Sequence, residues 1–237
     1  DGELYYLPTL RQEKAQMCWD YRRDVFEQLG ITEFPSTIDE LYDVCAKIKA
    51  AYPDKIIISC NGMGTTSPGS AITGFAQAYW MPELIMTQHS YVDPVTGEYV
   101  PYALTTDNAR EMYKTIKRFN DAGFIDKEIF TIDKDTFSSR LAQDNCFITY
   151  NYVYNIDDFN KKTKGTNPDK VTDWAWTATM VTAFPEKGTI YKRDPLYSNW
   201  GPAFSAGISE DMDRYNALLK MFNWFATEEG QLYNTYG

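Results

Sequence analysis

The isoleucine run Ile56-Ile57-Ile58, inside the short segment Lys55 to Ser59, constrains this chain more than any other feature. A β-branched run without polar alternation does not suit a strand with one face in water. It fits a strand buried on both faces, the position that strands take in α/β sheets. What precedes it agrees. In Pro35-Ser36-Thr37-Ile38-Asp39-Glu40 the Thr37 hydroxyl can accept from the third helical amide while the Glu40 carboxylate reaches back to the Thr37 amide, a capping box. Leu41, Val44, Cys45 and Ile48 then recur on one helical face up to about Ala51, and Pro53 ends the element.

The same alternation runs along the chain. Glu3 to Leu7 and Ala15 to Tyr21 read as strands, the second placing Met17, Trp19 and Tyr21 on one face. A short helix, Arg23 to Leu29, stops at Gly30. The isoleucine strand empties into a polar loop, Asn61 to Gly69, and the next helix carries Phe75, Tyr79 and Trp80. Tyr91 to Val100 has the turn chemistry of a hairpin, and Asp107 to Ala122 is an amphipathic helix with Met112, Ile116 and Phe119 inward. A helix over Thr136 to Gln143 leads to a strand over Cys146 to Tyr150. After it come Asn151-Tyr152-Val153-Tyr154 and a basic, turn-rich patch, Lys161 to Lys170. Trp174 to Val181 reads as a strand, and helices over Asp211 to Phe225 and Glu228 to Thr235 close the sequence. Strands alternating with helices, without internal repeats, indicate an α/β fold.

The chemistry of the side chains narrows the function. A net charge of −10 with scattered Lys and Arg opposes nucleic-acid binding, which needs clustered cations against phosphates. No run of about 18 apolar residues is present to span a bilayer. His89 is the lone histidine, so Ser-His-Asp, Cys-His and histidine-rich metal sites would all have to use it, and it lies ahead of the hairpin in a surface setting. Cys18, Cys45, Cys60 and Cys146 form no C-x-x-C pair and read as small buried hydrophobes. Phosphate-binding glycine motifs and calcium loops are missing, and no cofactor is implied. Paired carboxylates, as in a glycoside hydrolase or lyase, stay open as an alternative, although several acids sit at helix starts where capping explains them. A surface adhesion module is a third reading. What stands out is 18 Tyr, 13 Phe and 6 Trp. Tyr and Trp join a flat apolar face to a polar edge and so suit a sugar ring; Tyr152, Tyr154 and Trp200, in predicted loops, are candidates for it.

Several segments, in order, resemble one family. They are Asp1-Gly2-Glu3-Leu4-Tyr5-Tyr6-Leu7-Pro8, Trp19 to Ile31, Pro35 to Leu41, Gly123 to Phe130, and Glu229 to Gly237. Together they are similar to the extracellular solute-binding proteins of carbohydrate ABC importers, maltose-binding-like lipoproteins. The resemblance implies a type II periplasmic-binding-protein fold, with residues 1–12 and 206–237 as pieces of the first lobe and 13–205 as the second. It implies a carbohydrate held between lobes, ABC permease subunits as partners, no catalytic residues, and a cell-surface or periplasmic location. The opening Asp1-Gly2-Glu3 suggests a fragment, with a lipid anchor expected upstream. By the same resemblance, Gln16, Trp19 and Arg22 approach the ligand from the strand leaving the hinge, with core packing the alternative for Trp19. Asn61, Thr65 and Thr66 follow the isoleucine strand, Asn151, Tyr152 and Tyr154 form the aromatic turn, and Trp200 precedes the second hinge crossing.

Overall fold

Ile57 and Ile58 are wholly buried, and the backbone around them shows why. In the computed structural model, Ile58 bridges in parallel to Ile125 on one side and Ile148 on the other. The Ile58 amide donates to the Phe124 carbonyl (2.8 Å), the Ile148 amide to the Ile57 carbonyl (2.8 Å), and the Asp126 amide to the Ile58 carbonyl (2.9 Å). Its backbone is paired on both edges, and with Ile57 and Ile58 on opposite faces and both buried, apolar side chains suit it. The residues described are 17–60, 71–81, 91–92, 96–100, 106–129, 131–165, 167–177, 179–188 and 203–236. The expected strand over Glu3 to Leu7, the loop after Cys60, and His89 lie outside them.

The sheet continues through β4 (Ile148–Tyr152), which pairs antiparallel with β1 (Met17–Arg22). On its other side β1 pairs antiparallel with β5 (Trp174–Trp176), giving the order β4-β1-β5. A separate two-stranded hairpin joins β2 (Tyr91–Val92) to β3 (Tyr99–Val100). By compactness the chain forms two units: Lys14–Arg193, which holds all of these strands, and Asp1–Glu13 with Asp194–Gly237.

The helices follow their sequence signals. Helix α1 is Arg23–Gln28 and α2 is Ile38–Ala51, where the capping box is present: Thr37 Oγ1 accepts from the Glu40 amide (3.2 Å) and Glu40 Oε2 from the Thr37 amide (3.0 Å). Hydrogen bonds from the Ser36 amide and hydroxyl add to these and hold the Glu40 carboxyl below its usual range. Helix α3 is Ala71–Ala78 and α4 is Asp107–Asp121, whose buried face is Ala109, Met112, Ile116 and Phe119. Gly123 follows α4 at φ 72°, the left-handed conformation that closes the helix. Helix α5, Lys134–Ala142, begins earlier than its apolar pattern suggests because Asp133 Oδ1 accepts from the Thr136 amide (2.7 Å).

Between β4 and β5 the structure departs from the reading of a turn-rich basic patch. Residues Ile156–Lys164 form helix α6, which buries Phe159 and Thr163. Asp157 and Asp158 in its first turn and Lys161, Lys162 and Lys164 in its last match the helix dipole, so the lysines mark a helix end rather than a loop. Strand β5 stops sooner than its alternation suggests. The Thr179 amide turns back to Thr177 Oγ1 (2.9 Å), a local bond that competes with the ladder.

One face of β1 and β4 forms the centre of the core. Trp19 meets Phe34 (6.3 Å between ring centroids), Phe75 (5.7 Å) and Tyr150 (5.3 Å) and is 1% exposed. Helix α3 approaches it through Gly74, where a Cβ would lie 2.6 Å from Trp19 Cζ2 and 2.8 Å from Tyr150 Cδ2. All four cysteines are free and buried, and burial pushes the Cys146 thiol up to about 12. Cys45 and Cys146 are packing groups whose burial keeps the thiol protonated near neutral pH. In the other unit, α7 (Met212–Phe225) and α8 (Glu228–Tyr236) are joined by a tight turn in which the Gly230 amide donates to Thr227 Oγ1 (3.1 Å). Gly74→Ala is expected to destabilise the protein by about 2 kcal/mol, the scale of overpacking a tight core, read as a lowered urea midpoint with an unchanged slope.

Candidate functional site

The register fixes which end of the sheet can hold a ligand. The isoleucine segment and β4 run parallel, β1 runs against β4, and β5 runs against β1. The carboxyl ends of the isoleucine segment, β4 and β5 therefore share one edge, where β1 begins. Open α/β sheets bind ligands at such carboxyl ends.

At that edge β4 gives way to a single 3-10 turn, Val153–Asn155, and then to α6. Asn151 organises the change of direction. Its Oδ1 accepts from the Tyr152 amide (2.8 Å) and from Asn155 Nδ2 (2.9 Å). Tyr152 pairs with Met17 across the ladder and is half-buried against the core. The Tyr154 ring lies nearly parallel to that of Tyr152, at 12° with centroids 5.1 Å apart, and Tyr154 is 65% exposed. The strand thus ends in two stacked rings, the inner one held by the core and the outer one open to solvent. Such a ring presents an apolar face with a hydroxyl at its rim, a surface that can stack on the C–H face of a sugar and hydrogen-bond its edge. A further aromatic escapes the sequence reading. In Trp174-Ala175-Trp176 the two-residue period puts both indoles on one face, but Trp174 is 2% exposed and Trp176 52% exposed. Position near the strand end, not sequence pattern, separates them.

Trp19 and Arg22, expected to face a ligand, take structural positions instead. Phe34, Phe75 and Tyr150 surround the Trp19 indole and leave it no open face. Arg22 is 3% exposed. Its Nε and Nη2 donate to the two carboxylate oxygens of Asp24 (2.7 and 2.6 Å), and Nη1 pairs with Asp144, which also holds Lys170 (3.1 Å). Burial alone would raise the Asp144 carboxyl, but Arg22 and Lys170 outweigh it and hold the group below its usual value. Asn151 lies in the last part of β4 rather than in a turn, 2% exposed, because β1 starts early enough to pair Cys18 with it. Gln16, Asn61, Thr65, Thr66 and Trp200 lie outside the described residues.

Two carboxylates of this unit, Asp126 and Asp20, lie in the interior. Asp126 is 1% exposed and accepts from the Ser59 hydroxyl (2.9 Å) and Arg140 Nε (3.3 Å). Asp20 is fully buried, its Oδ1 facing the Cys18 thiol (3.3 Å), and burial pushes its carboxyl well above 3.8. Among the described residues no three His, Cys, Asp or Glu side chains gather as a metal site, and no helix is long and apolar enough to cross a membrane.

No family model matches the chain, and no curated protein matches it. Solved structures do. The alginate-binding protein AlgQ2 without calcium ion is 18% identical, with 90% of this chain and 42% of that protein covered at a TM-score of 0.63. The S. pneumoniae ABC-transporter substrate binding protein FusA, in complex with kestose, is 19% identical, with 85% and 39% covered at 0.58. The galacto-N-biose-/lacto-N-biose I-binding protein of the ABC transporter from Bifidobacterium longum, in complex with lacto-N-biose, is 19% identical, with 96% and 49% covered at 0.51. The chain has the fold of the ABC-transporter solute-binding proteins. It spans less than half the length of these three proteins. Within this solute-binding-protein fold the mixed sheet and its helices are the α/β architecture that the sequence implies, and the solved proteins that share it here are binding proteins.

Two outcomes follow from the buried charges. Arg22→Ala strands Asp24 and Asp144 beside each other and is expected to cost about 3 kcal/mol, as for breaking a buried ion pair, in urea unfolding. A ligand-contacting arginine would instead lower affinity and leave stability unchanged. For Asp20, a folded carboxyl raised above 3.8 favours the protonated form, so its contribution is complete below that pH and is lost as pH rises toward the folded value. Asp20→Asn has no such loss. Its stability relative to the parent should climb by about 1.4 kcal/mol per pH unit above the unfolded value until the folded carboxyl titrates, measured by urea unfolding from pH 4 to 8.

Proposed function

We propose that this chain forms much of an extracellular solute-binding component of an ABC importer that captures an oligosaccharide. The observation that carries the reading is the Tyr152–Tyr154 stack at the carboxyl end of β4, with its outer ring 65% exposed, in a fold shared with proteins described as binding alginate, kestose and lacto-N-biose. Stacking of a sugar ring on Tyr154 supplies affinity, and polar groups around it satisfy the hydroxyls. Asn61, Thr65 and Thr66 after the isoleucine segment, Gln16 before β1, and Trp200 belong to the same proposal as hydroxyl-binding and stacking groups. Trp176 joins them.

In this reading residues 13–205 are the second lobe, and 1–12 with 206–237 are part of the first. The division of the chain into Lys14–Arg193 and the remaining residues supports it. The sugar lies between lobes, closure over it is the signal the permease subunits read, and the protein works outside the cell or in the periplasm on a lipid anchor. It performs no chemistry on its ligand, a view supported by the engagement of Asp20, Asp126, Asp24 and Asp144 in the interior and in ion pairs.

The full-length protein, titrated calorimetrically with fructo-, manno-, galacto- and uronate oligosaccharides, should bind one class. Tyr154→Ala should weaken that binding about tenfold or more, consistent with loss of one stacked ring, while Tyr154→Trp should retain it. Release of reducing sugar by the protein, or binding of a peptide and of no saccharide, would overturn the reading.

A further inference from the structure

The face of β1 and β4 opposite the Trp19 cluster is polar and closed to solvent. Register pairs place Asp20 across from Thr149 and Cys18 across from Asn151, so these four side chains share one face. The Cys18 thiol donating to Asp20 Oδ1 at 3.3 Å shows that they do. Asp20 and Thr149 are 0% exposed and Asn151 is 2% exposed. Yet Asp20 Oδ2, Thr149 Oγ1 and Asn151 Nδ2 are all buried and make no hydrogen bond. An orphaned polar atom in a core is costly, and three on adjacent strands, in alternate register pairs that share a face, are a cluster.

The chemistry of the three atoms selects their partner. Asn151 Nδ2 is a donor only, which opposes a cation. Among the described residues of these strands Asp20 faces no free cation: Arg22, the next residue on its own strand face, is committed to Asp24 and Asp144, β4 adds Thr149 and Asn151 to that face, and β5 adds Trp174 and Trp176. An anion would meet the Asp20 carboxyl. A neutral molecule that both donates and accepts is required. Asn151 is diagonal to Asp20, about 7 Å away at Cα across an antiparallel pair, too far for a direct bond between short side chains, and Thr149, directly opposite Asp20, makes none with it. Two hydrogen bonds through one water span about 5.6 Å. Interiors hold about one buried water per 27 residues, typically with three such partners.

We propose that Asp20, Thr149 and Asn151 form an internal hydration site between β1 and β4, in which one ordered water joins the three side chains and holds Asn151 as the positioning residue of the tyrosine turn. Asn151 bridges the two environments: its Oδ1 fixes the Tyr152 amide and Asn155, and its Nδ2 faces inward to the water. Rotation of the amide would undo both sets of bonds together. The raised Asp20 carboxyl fits the site, because burial favours its protonated form, whose O–H can donate a hydrogen bond to the water. This assignment does not depend on which ligand the tyrosines take.

A crystal structure of the full-length protein at about 1.5 Å, a resolution at which ordered water is plain, tests it. One solvent atom within hydrogen-bond distance of all three side-chain atoms is expected; direct pairing among them with no solvent atom overturns the site. Hydrogen exchange followed by mass spectrometry tests the positioning role. Thr149→Val should speed exchange of the amides of residues 152–155 about tenfold relative to β5, while Thr149→Ser, which keeps the hydroxyl, should match the parent. Equal exchange in the parent and Thr149→Val, or loss in both variants, overturns the positioning role, and the crystal structure decides the site even where the valine variant fails to fold.

Discussion

The antiparallel ladder between β1 and β4 is the interaction on which the rest of this unit depends. It sets Trp19 opposite Tyr150, which builds the aromatic centre against which α3 packs, and it sets Asp20 opposite Thr149, which buries a polar row on the other face. A slip of one residue would exchange the two faces, putting carboxyl and hydroxyl groups into the aromatic cluster and the indole under the polar side. The ladder also ends the strand at Tyr152, across from Met17. Where the tyrosine turn stands is thus a consequence of register rather than of the turn itself.

Much of the fold was legible because it rests on local chemistry. The Thr37–Glu40 capping box, the burial of Ile57 and Ile58, and the inward face of α4 all appear where periodicity and capping place them. Elements whose limits depend on partners far away in sequence were less legible. Strand β4 reaches Tyr152 because β1 is there to pair with it, and nothing in Thr149-Tyr150-Asn151-Tyr152 announces that. Helix α6 was hidden by its own polarity: with only Phe159 and Thr163 buried, its signal is the order of charges, acids first and lysines last, rather than an apolar stripe.

The site shows the same division. Tyr152 and Tyr154, suggested by residue type in a predicted loop and by the family resemblance, come together as a stack. Arg22 is a ligand group only by the family resemblance, and its fork is filled by Asp24 from the following turn and by Asp144, 122 residues away. Sequence separation of that size is invisible to pattern reading. Trp176 is the converse, an indole indistinguishable from its buried neighbour until the sheet is assembled.

The parallel tyrosines carry an entropic consequence. A solvent-exposed aromatic ordinarily samples several rotamers, and a partner that settles on it must pay for freezing them. Here the inner ring, wedged against the core, already restrains the outer one at 12°, so that cost is met when the chain folds. Under the proposed function a flat guest would land on a surface that is stiff before it arrives, and discrimination between guests would fall to the rim groups that read hydroxyl positions.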